Sequence, residues 1–307
     1  MKDVRKEKGA PMSLLQAILM GVIQGLTEFL PVSSSGHLAL FQILFHTNTD
    51  TGLLFSVLLH LGTLISIFVA FHKDVGRLIR EGILLFIDII LNIITFFENL
   101  FLRKDLPYRR VICTAYRKFV MLILVSTIPT GIIGIVDSDL VEMSETILLI
   151  PGACLVITGI LLLIADRLPD GHKTPKHVTY TNAFMVGICQ GLATLPGLSR
   201  SGTTITACLA SGFDRKFAVK YSFLMSIPAV LGAAILEIKD CFGAQGSELA
   251  LSGGMITNYI VGMIVAAVIG YISIKTMLVI VRRKKFTGFA IYCILVGIVS
   301  VVGYFIA

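Results

Sequence analysis

Apolar residues in this chain run in long blocks instead of alternating with polar ones. Gly52 to Phe71, Phe119 to Val136, Thr146 to Ala165, Phe217 to Leu236, Gly253 to Ile274 and Gly288 to Ile306 form six such blocks. Each is close to the ~20 residues that carry a helix across a bilayer. None holds a charged residue deep in its middle, Lys220 lying near one end. The pattern predicts an all-α polytopic membrane protein. Composition agrees, with 55% hydrophobic and only 15% charged residues, where soluble domains carry about 25% charged.

Other features of the composition narrow the function classes. The basic Met1 to Lys8 region leads through an apolar stretch to Gln24 without a small-residue cleavage site, so no cleavable signal peptide is expected. Six cysteines (Cys113, Cys154, Cys189, Cys208, Cys241, Cys293) are scattered without CxxC spacing and read as small core residues. The net charge of +7 fits cytoplasmic loops obeying the positive-inside rule, and a nucleic-acid partner is not expected.

One internal similarity stands out. Gly21 to His37 (GVIQGLTEFLPVSSSGH) resembles Gly187 to Thr203 (GICQGLATLPGLSRSGT), which indicates duplication. Pro31 and Pro196 break a helix, and the serines and glycine that follow favour a loop. Non-helical backbone at membrane depth survives only against protein or a water-filled cavity. Each copy therefore reads as a re-entrant helix–loop–helix hairpin. Three apolar spans follow each hairpin, and an odd number turns the second copy upside down, an inverted-topology repeat.

Loop charges test that topology. The basic residues between Lys73 and Lys118 fall on the same side as Arg167, Lys173, Lys176, Arg215, Lys216 and Arg282 to Lys285. Asp137, Asp139, Glu142, Glu145, Asp240 and Glu248 fall on the other. Six spans plus two hairpins satisfy the charge rule. The basic Met1 to Lys8 tail fits less well, because it would lie outside. Gly82 to Phe97 could pass for a seventh span, but Glu81, Asp88, Asn92, Thr95 and Asn99 share one stripe, so an interfacial amphipathic helix fits better. The chain is expected to form one membrane domain over 1–307. Repeat one covers about 13–165 with the interfacial insert at about 76–102, and repeat two about 182–307.

Ionisable groups inside membrane segments are costly and therefore candidates for function. Glu28 and His37 in the first hairpin and Arg200 in the second are such groups. Thr27, Ser33, Ser34 and Ser35 accompany the first pair; Ser199, Ser201, Thr203 and Thr204 accompany the arginine. Should the hairpins meet at mid-membrane, these groups converge. A guanidinium fork suits phosphate oxygens, and hydroxyls with free N–H groups at a broken helix add anion-binding capacity. A carboxylate beside that anion repels it unless a divalent metal bridges them or the carboxyl is protonated. A phosphate-bearing substrate with a hard metal ion is the expected ligand set.

TEFLPVSSSGH (Thr27 to His37) and LPGLSRSGTTI (Leu195 to Ile205) closely resemble the two signature motifs of the undecaprenyl-diphosphate phosphatase family, also called the bacitracin-resistance protein. The order of hairpins and spans is similar over essentially the whole chain. The resemblance implies removal of the terminal phosphate of undecaprenyl diphosphate, which recycles the lipid carrier for bacterial cell-wall synthesis. It places metal coordination or acid/base work on Glu28, a nucleophile at Ser33 or Ser34, and an acid/base at His37. Diphosphate binding falls on Arg200 with Ser199 and Ser201, and the hydroxyls of Thr27, Ser35 and Thr203 are counted among those contacts. Gln24 stands where the family has Glu or Gln; its amide can ligate metal beside Glu28 but cannot act as a general base. The implied cofactor is Mg²⁺ or Ca²⁺.

Attack by a serine activated by His37 and attack by water both stay open. The implied partners are a polyprenyl diphosphate and membrane lipids; the oligomeric state is open, a homodimer included. The implied location is the bacterial plasma membrane with the site open to the extracellular side. The rival reading is a transporter or flippase of a phosphate-bearing polyprenyl lipid, since inverted repeats with broken helices are also transporter architecture.

Overall fold

A computed structural model describes residues 12–38, 52–137, 149–244 and 253–306. Its helices are α1 (Leu14–Thr27), α2 (Gly52–Ala70), α3 (His72–Leu102), α4 (Ala115–Val136) and α5 (Leu149–Arg167). They continue as α6 (Tyr180–Leu192), α7 (Arg200–Ala210), α8 (Arg215–Ala244), α9 (Gly253–Arg282) and α10 (Thr287–Ile306). Apart from one isolated bridge between Lys173 and Phe213, the described residues form helices and loops. Among the described residues six helices, α3, α4, α5, α8, α9 and α10, are long and apolar enough to cross a membrane. The protein is an all-α, multi-pass membrane protein.

Membership of the six differs in one place from the reading of the sequence. By length and composition α3 qualifies, while Leu54–Ala70 within α2 counts as a shorter apolar helix. Helices α8 and α9 also run past the apolar blocks, through Glu237 and Lys239 and through Lys275 to Arg282. Straight-chain charged residues are good helix formers, so polarity alone does not end a helix. The Met1 to Lys8 tail and Asp139, Glu142, Glu145 and Glu248 lie outside the described residues.

The two motif copies start alike. Ser13 caps α1 by accepting the Gln16 N–H at 3.2 Å, and Thr179 caps α6 by accepting the Asn182 N–H at 3.1 Å. In both, the third helical residue returns a side-chain bond to the cap, a complete capping box. Both helices then use the glycines of their shared pattern for close packing. A Cβ on Gly21 would stand 2.5 Å from the Gly262 carbonyl of α9, and one on Gly187 2.2 Å from the Ser126 carbonyl of α4. Small residues four apart are what allow helix backbones to approach in a bilayer, where no hydrophobic effect drives them together. Thus α1 seats on α9 and α6 seats on α4, while α5 pairs with α10 and α2 with α8 and α9. Polar side chains inside the bundle bond to backbone, as Ser126 does to the Leu122 and Ala183 carbonyls. Stripes such as Ile128, Ile132 and Ile135 stay exposed, the face a lipid environment covers.

Loops expected to share the basic side do touch one another. The Lys118 ammonium donates to the Lys176 carbonyl, and Lys220 pairs with Asp74. Asp170 takes both Arg215 and Lys284, and Asp166 accepts the Phe286 and Thr287 N–H groups. At the opposite end, Asn258 near the start of α9 donates to the Met12 carbonyl just before α1.

The polar stripe of α3 is real, but its partner is protein. Residues 103–113 run back along it as a strap: Asn99 exchanges two hydrogen bonds with the Leu106 backbone, and Asn92 two with the Arg109 backbone. Nearer the bundle, Arg117 binds Glu81 and Asp88. The apolar remainder of α3, including Ile79, Ile83, Phe86, Ile93, Phe97 and Phe101, is exposed.

Candidate active site

The first hairpin turns where its chemistry requires. Glu28 caps the end of α1, its N–H bonded to the Gln24 carbonyl, and the Leu30 N–H still reaches the Leu26 carbonyl. Pro31 has no N–H to offer the next turn. Ser33 adopts φ +68°, a region a non-glycine residue occupies only when its surroundings hold it there. Its hydroxyl accepts the Gly36 N–H at 3.4 Å, and the chain becomes helical again from Ser34. In the second hairpin Ser199 caps α7 in the same way, accepting the Gly202 N–H at 3.2 Å. Gly197, at φ +89°, backs onto Pro151 so closely that a Cβ would stand 2.2 Å from its carbonyl. Thr158 of α5 clamps this loop, donating to the Gly197 carbonyl and accepting the Ser199 N–H.

These turns bring the two loops together at Glu28, whose side chain is 3% exposed. One carboxylate oxygen forms a close ion pair with the Arg200 guanidinium, the first residue of α7. The other accepts the Ser34 hydroxyl at 2.7 Å and the Gln24 amide at 3.0 Å. The aligned positions Ser34 and Arg200, each first after its loop, therefore grip the same carboxylate. Ser201 adds a second bond between hairpins, its hydroxyl donating to the Leu30 carbonyl at 3.3 Å. A small cavity of about 10 Å³, room for about one water molecule, opens here, lined by Glu28, Phe29, Arg200, Ser201, Ser222, Phe223 and Ser226.

Not every expected residue joins this cluster. His37 Nδ1 lies 2.7 Å from the Ser33 carbonyl, an acceptor only, so Nδ1 carries the hydrogen. Its Nε2 then accepts the Tyr292 hydroxyl at 2.6 Å. His37 thus addresses α10, and neither ring nitrogen reaches a serine hydroxyl or Glu28. Thr27 turns its hydroxyl back onto the Ile23 carbonyl of its own helix. Ser35 is exposed, with its hydroxyl 3.4 Å from that of Ser33. Thr203 is buried with its hydroxyl unpaired, and Thr204 bonds Ser222.

The structure also adds residues. His60, from the middle of α2, places Nδ1 3.1 Å from the Gln24 amide nitrogen and 3.9 Å from the Glu28 carboxylate. It is not among the residues expected from the sequence; the signal that could have found it is a lone ionisable residue inside an apolar span. Ser222, Phe223 and Ser226 join through α8, and Tyr292 through His37. Among the described residues no three His, Cys, Asp or Glu side chains gather as a metal centre. The Gln24 side-chain oxygen is fully buried without a partner.

The chain is thus a multi-pass membrane protein in which a carboxylate and a guanidinium pair between two polar loops inside the helix bundle. Residues 17–299 match the family described as bacitracin resistance protein BacA. An undecaprenyl-diphosphatase of Methanosphaera stadtmanae is 39% identical over 291 residues, covering 95% of this chain and 98% of its own. That of Halothermothrix orenii is 40% identical with the same coverage, and that of Alkaliphilus metalliredigens 39% identical over 93% of this chain and 97% of its own. The chain belongs to the bacitracin resistance protein family.

Proposed function

We propose that this chain hydrolyses undecaprenyl diphosphate to undecaprenyl phosphate and inorganic phosphate in the plasma membrane. The activity recycles the lipid carrier for cell-wall synthesis and confers resistance to bacitracin. Family membership supports the reaction, and the observation that carries the site is the Glu28–Arg200 pair with Ser34 bonded to the same carboxylate.

The chemistry follows from those contacts. An entering diphosphate competes with Glu28 for the Arg200 guanidinium, whose planar fork suits two phosphate oxygens. Backbone N–H groups at the start of α7, behind Ser199, favour the same negative charge. Loss of Arg200 leaves Glu28 free to take the Ser34 proton across the 2.7 Å hydrogen bond. The Ser34 oxygen then bonds to the terminal phosphorus as the bond to the bridging oxygen breaks, and lipid monophosphate leaves. Once Glu28 has passed the Ser34 proton to the departing monophosphate, water hydrolyses the phosphoserine, giving its proton to Glu28, which returns it to the Ser34 oxygen as inorganic phosphate leaves. Direct attack by water held at Glu28 uses the same base. His37, tied to Ser33 and Tyr292, fixes the strained loop that presents Ser34.

Glu28 and, once its amide turns, Gln24, whose side-chain oxygen is buried without a partner, would hold a divalent cation, Mg²⁺ or Ca²⁺, with hard oxygen donors. When bound, it supplies charge neutralisation between carboxylate and phosphate.

The hairpins are re-entrant and related by an inverted repeat. In support, α1 starts at the Asn258 end of the bundle and α6 at the basic end, where Lys173 reaches Asn182, yet their loops meet. Only Phe71 separates α2 from α3, too short a link to reverse the chain, so a spanning α2 leaves α3 lying in the interface. This topology opens the site towards the extracellular side, and the lipid tail stays in the bilayer while the head group approaches Arg200.

Phosphate release from undecaprenyl diphosphate by purified protein, with and without EDTA, tests the reading. Release that EDTA abolishes is the expected result. No release, together with transport of the lipid in vesicles, would make the chain a carrier instead.

A further inference from the structure

The Gln24 side chain is fully buried, its amide nitrogen points at both His60 Nδ1 and Glu28, and its oxygen has no partner. A half-turn of the amide exchanges the two atoms, a choice that carbon, nitrogen and oxygen positions alone leave nearly degenerate. The oxygen would then stand about where the nitrogen is, 3.0 Å from the Glu28 oxygen and 3.1 Å from His60 Nδ1. The third side of that triangle is 3.9 Å. Ligands at about 2.1 Å from one cation lie roughly 3.0 Å apart when adjacent and 4.2 Å apart when opposite, so the two short sides fit adjacent ligands and the 3.9 Å side comes close to an opposite pair, with Gln24 between Glu28 and His60. While the amide nitrogen faces it, His60 Nδ1 accepts that N–H and so directs a lone pair to this point; the half-turn and the cation would replace the N–H together.

The second motif copy provides a contrast. Gln190 is equally buried and its oxygen equally unpaired, yet its amide nitrogen donates to Thr130. Thr194 stands there at the position matching Glu28. The amide is common to both copies; the carboxylate and imidazole are found beside the first.

We propose that His60 is the third protein ligand of the divalent cation, completing a Glu28–Gln24–His60 set in which one donor is nitrogen. This rests on the metal site placed at Glu28 above and extends it to a residue of α2, outside both motifs. Binding of the ion would therefore tie α2 to the first hairpin.

Mn²⁺ is a suitable probe, because electron spin-echo modulation detects a directly bonded imidazole nitrogen. Purified full-length chain in micelles is titrated with Mn²⁺, following loss of the free-ion signal, and the bound ion is examined for nitrogen modulation. Wild type is expected to bind Mn²⁺ with nitrogen modulation. His60→Gln should lose the modulation and bind about 10- to 100-fold more weakly, while His37→Gln keeps both. Binding that depends on Glu28 but shows no nitrogen modulation in wild type, or an unchanged signal in His60→Gln, overturns the role of His60 and leaves the metal site standing. Wild type that binds no Mn²⁺, or binds it as well after Glu28→Gln, overturns both.

Discussion

Replacing Arg200 by methionine isolates the pair that joins the hairpins. Glu28 is 3% exposed and Arg200 26% exposed at the side chain, so the change strands a buried carboxylate beside a partly wetted gap. Breaking a fully buried pair costs about 3–5 kcal/mol. Access of water to the arginine side, and the bonds Glu28 keeps from Ser34 and Gln24, reduce this to about 2–3 kcal/mol. Glu28→Gln in the Arg200→Met background removes the stranded charge while preserving the acceptor. The double variant should therefore be more stable than Arg200→Met alone, with a coupling of about 1–3 kcal/mol. Equilibrium unfolding of the four proteins in mixed micelles, followed by circular dichroism, measures it. Costs that add to within about 0.5 kcal/mol would refute the pairing.

Three further outcomes follow from packing and charge. Gly187→Leu drives a side chain into the Ser126 carbonyl and should cost about 3 kcal/mol, whereas Gly288→Ala, with open space around it, should be near neutral in the same unfolding assay. Asn92→Ala with Asn99→Ala removes four hydrogen bonds, about 2–4 kcal/mol in all, so trypsin should cut at Arg103, Lys104 and Arg109 much faster than in wild type. The Arg215 guanidinium, helped by Lys284, holds the Asp170 carboxyl below its ordinary range. Its contribution to stability is then complete above about pH 4 and disappears as pH falls through the lowered folded value. The melting-temperature advantage of wild type over Asp170→Asn should persist at pH 5 and fade only below pH 4; its absence at pH 5 would contradict the pairing.

Much of this arrangement was legible in the sequence. The repeat of Gly-x-x-Gln-Gly-Leu marked two similar hairpins, and the structure gives both the same cap, the same glycine packing and the same serine at the second helix start. Glu28 and Arg200 stood out because charge is costly at membrane depth. His60 did not, because a neutral imidazole in a 19-residue apolar helix leaves the hydropathy almost unchanged. Roles within the cluster were less legible still. Ser33 and Ser34 are neighbours in sequence, but the positive φ at Ser33 sends one hydroxyl to a helix cap and the other to Glu28. Likewise the stripe on α3 was visible, but its partner is the backbone of 103–113, which carries no side-chain pattern.

The claim at the centre of this account is that two hairpins from distant parts of the chain form one catalytic site. The most direct test is kcat/KM for phosphate release from undecaprenyl diphosphate by wild type and Arg200→Ala, each first shown to be folded. Removing the guanidinium from the transferred phosphate should lower kcat/KM by about 10²- to 10³-fold. Activity within about twofold of wild type would contradict it, because the first hairpin would then be working without the second.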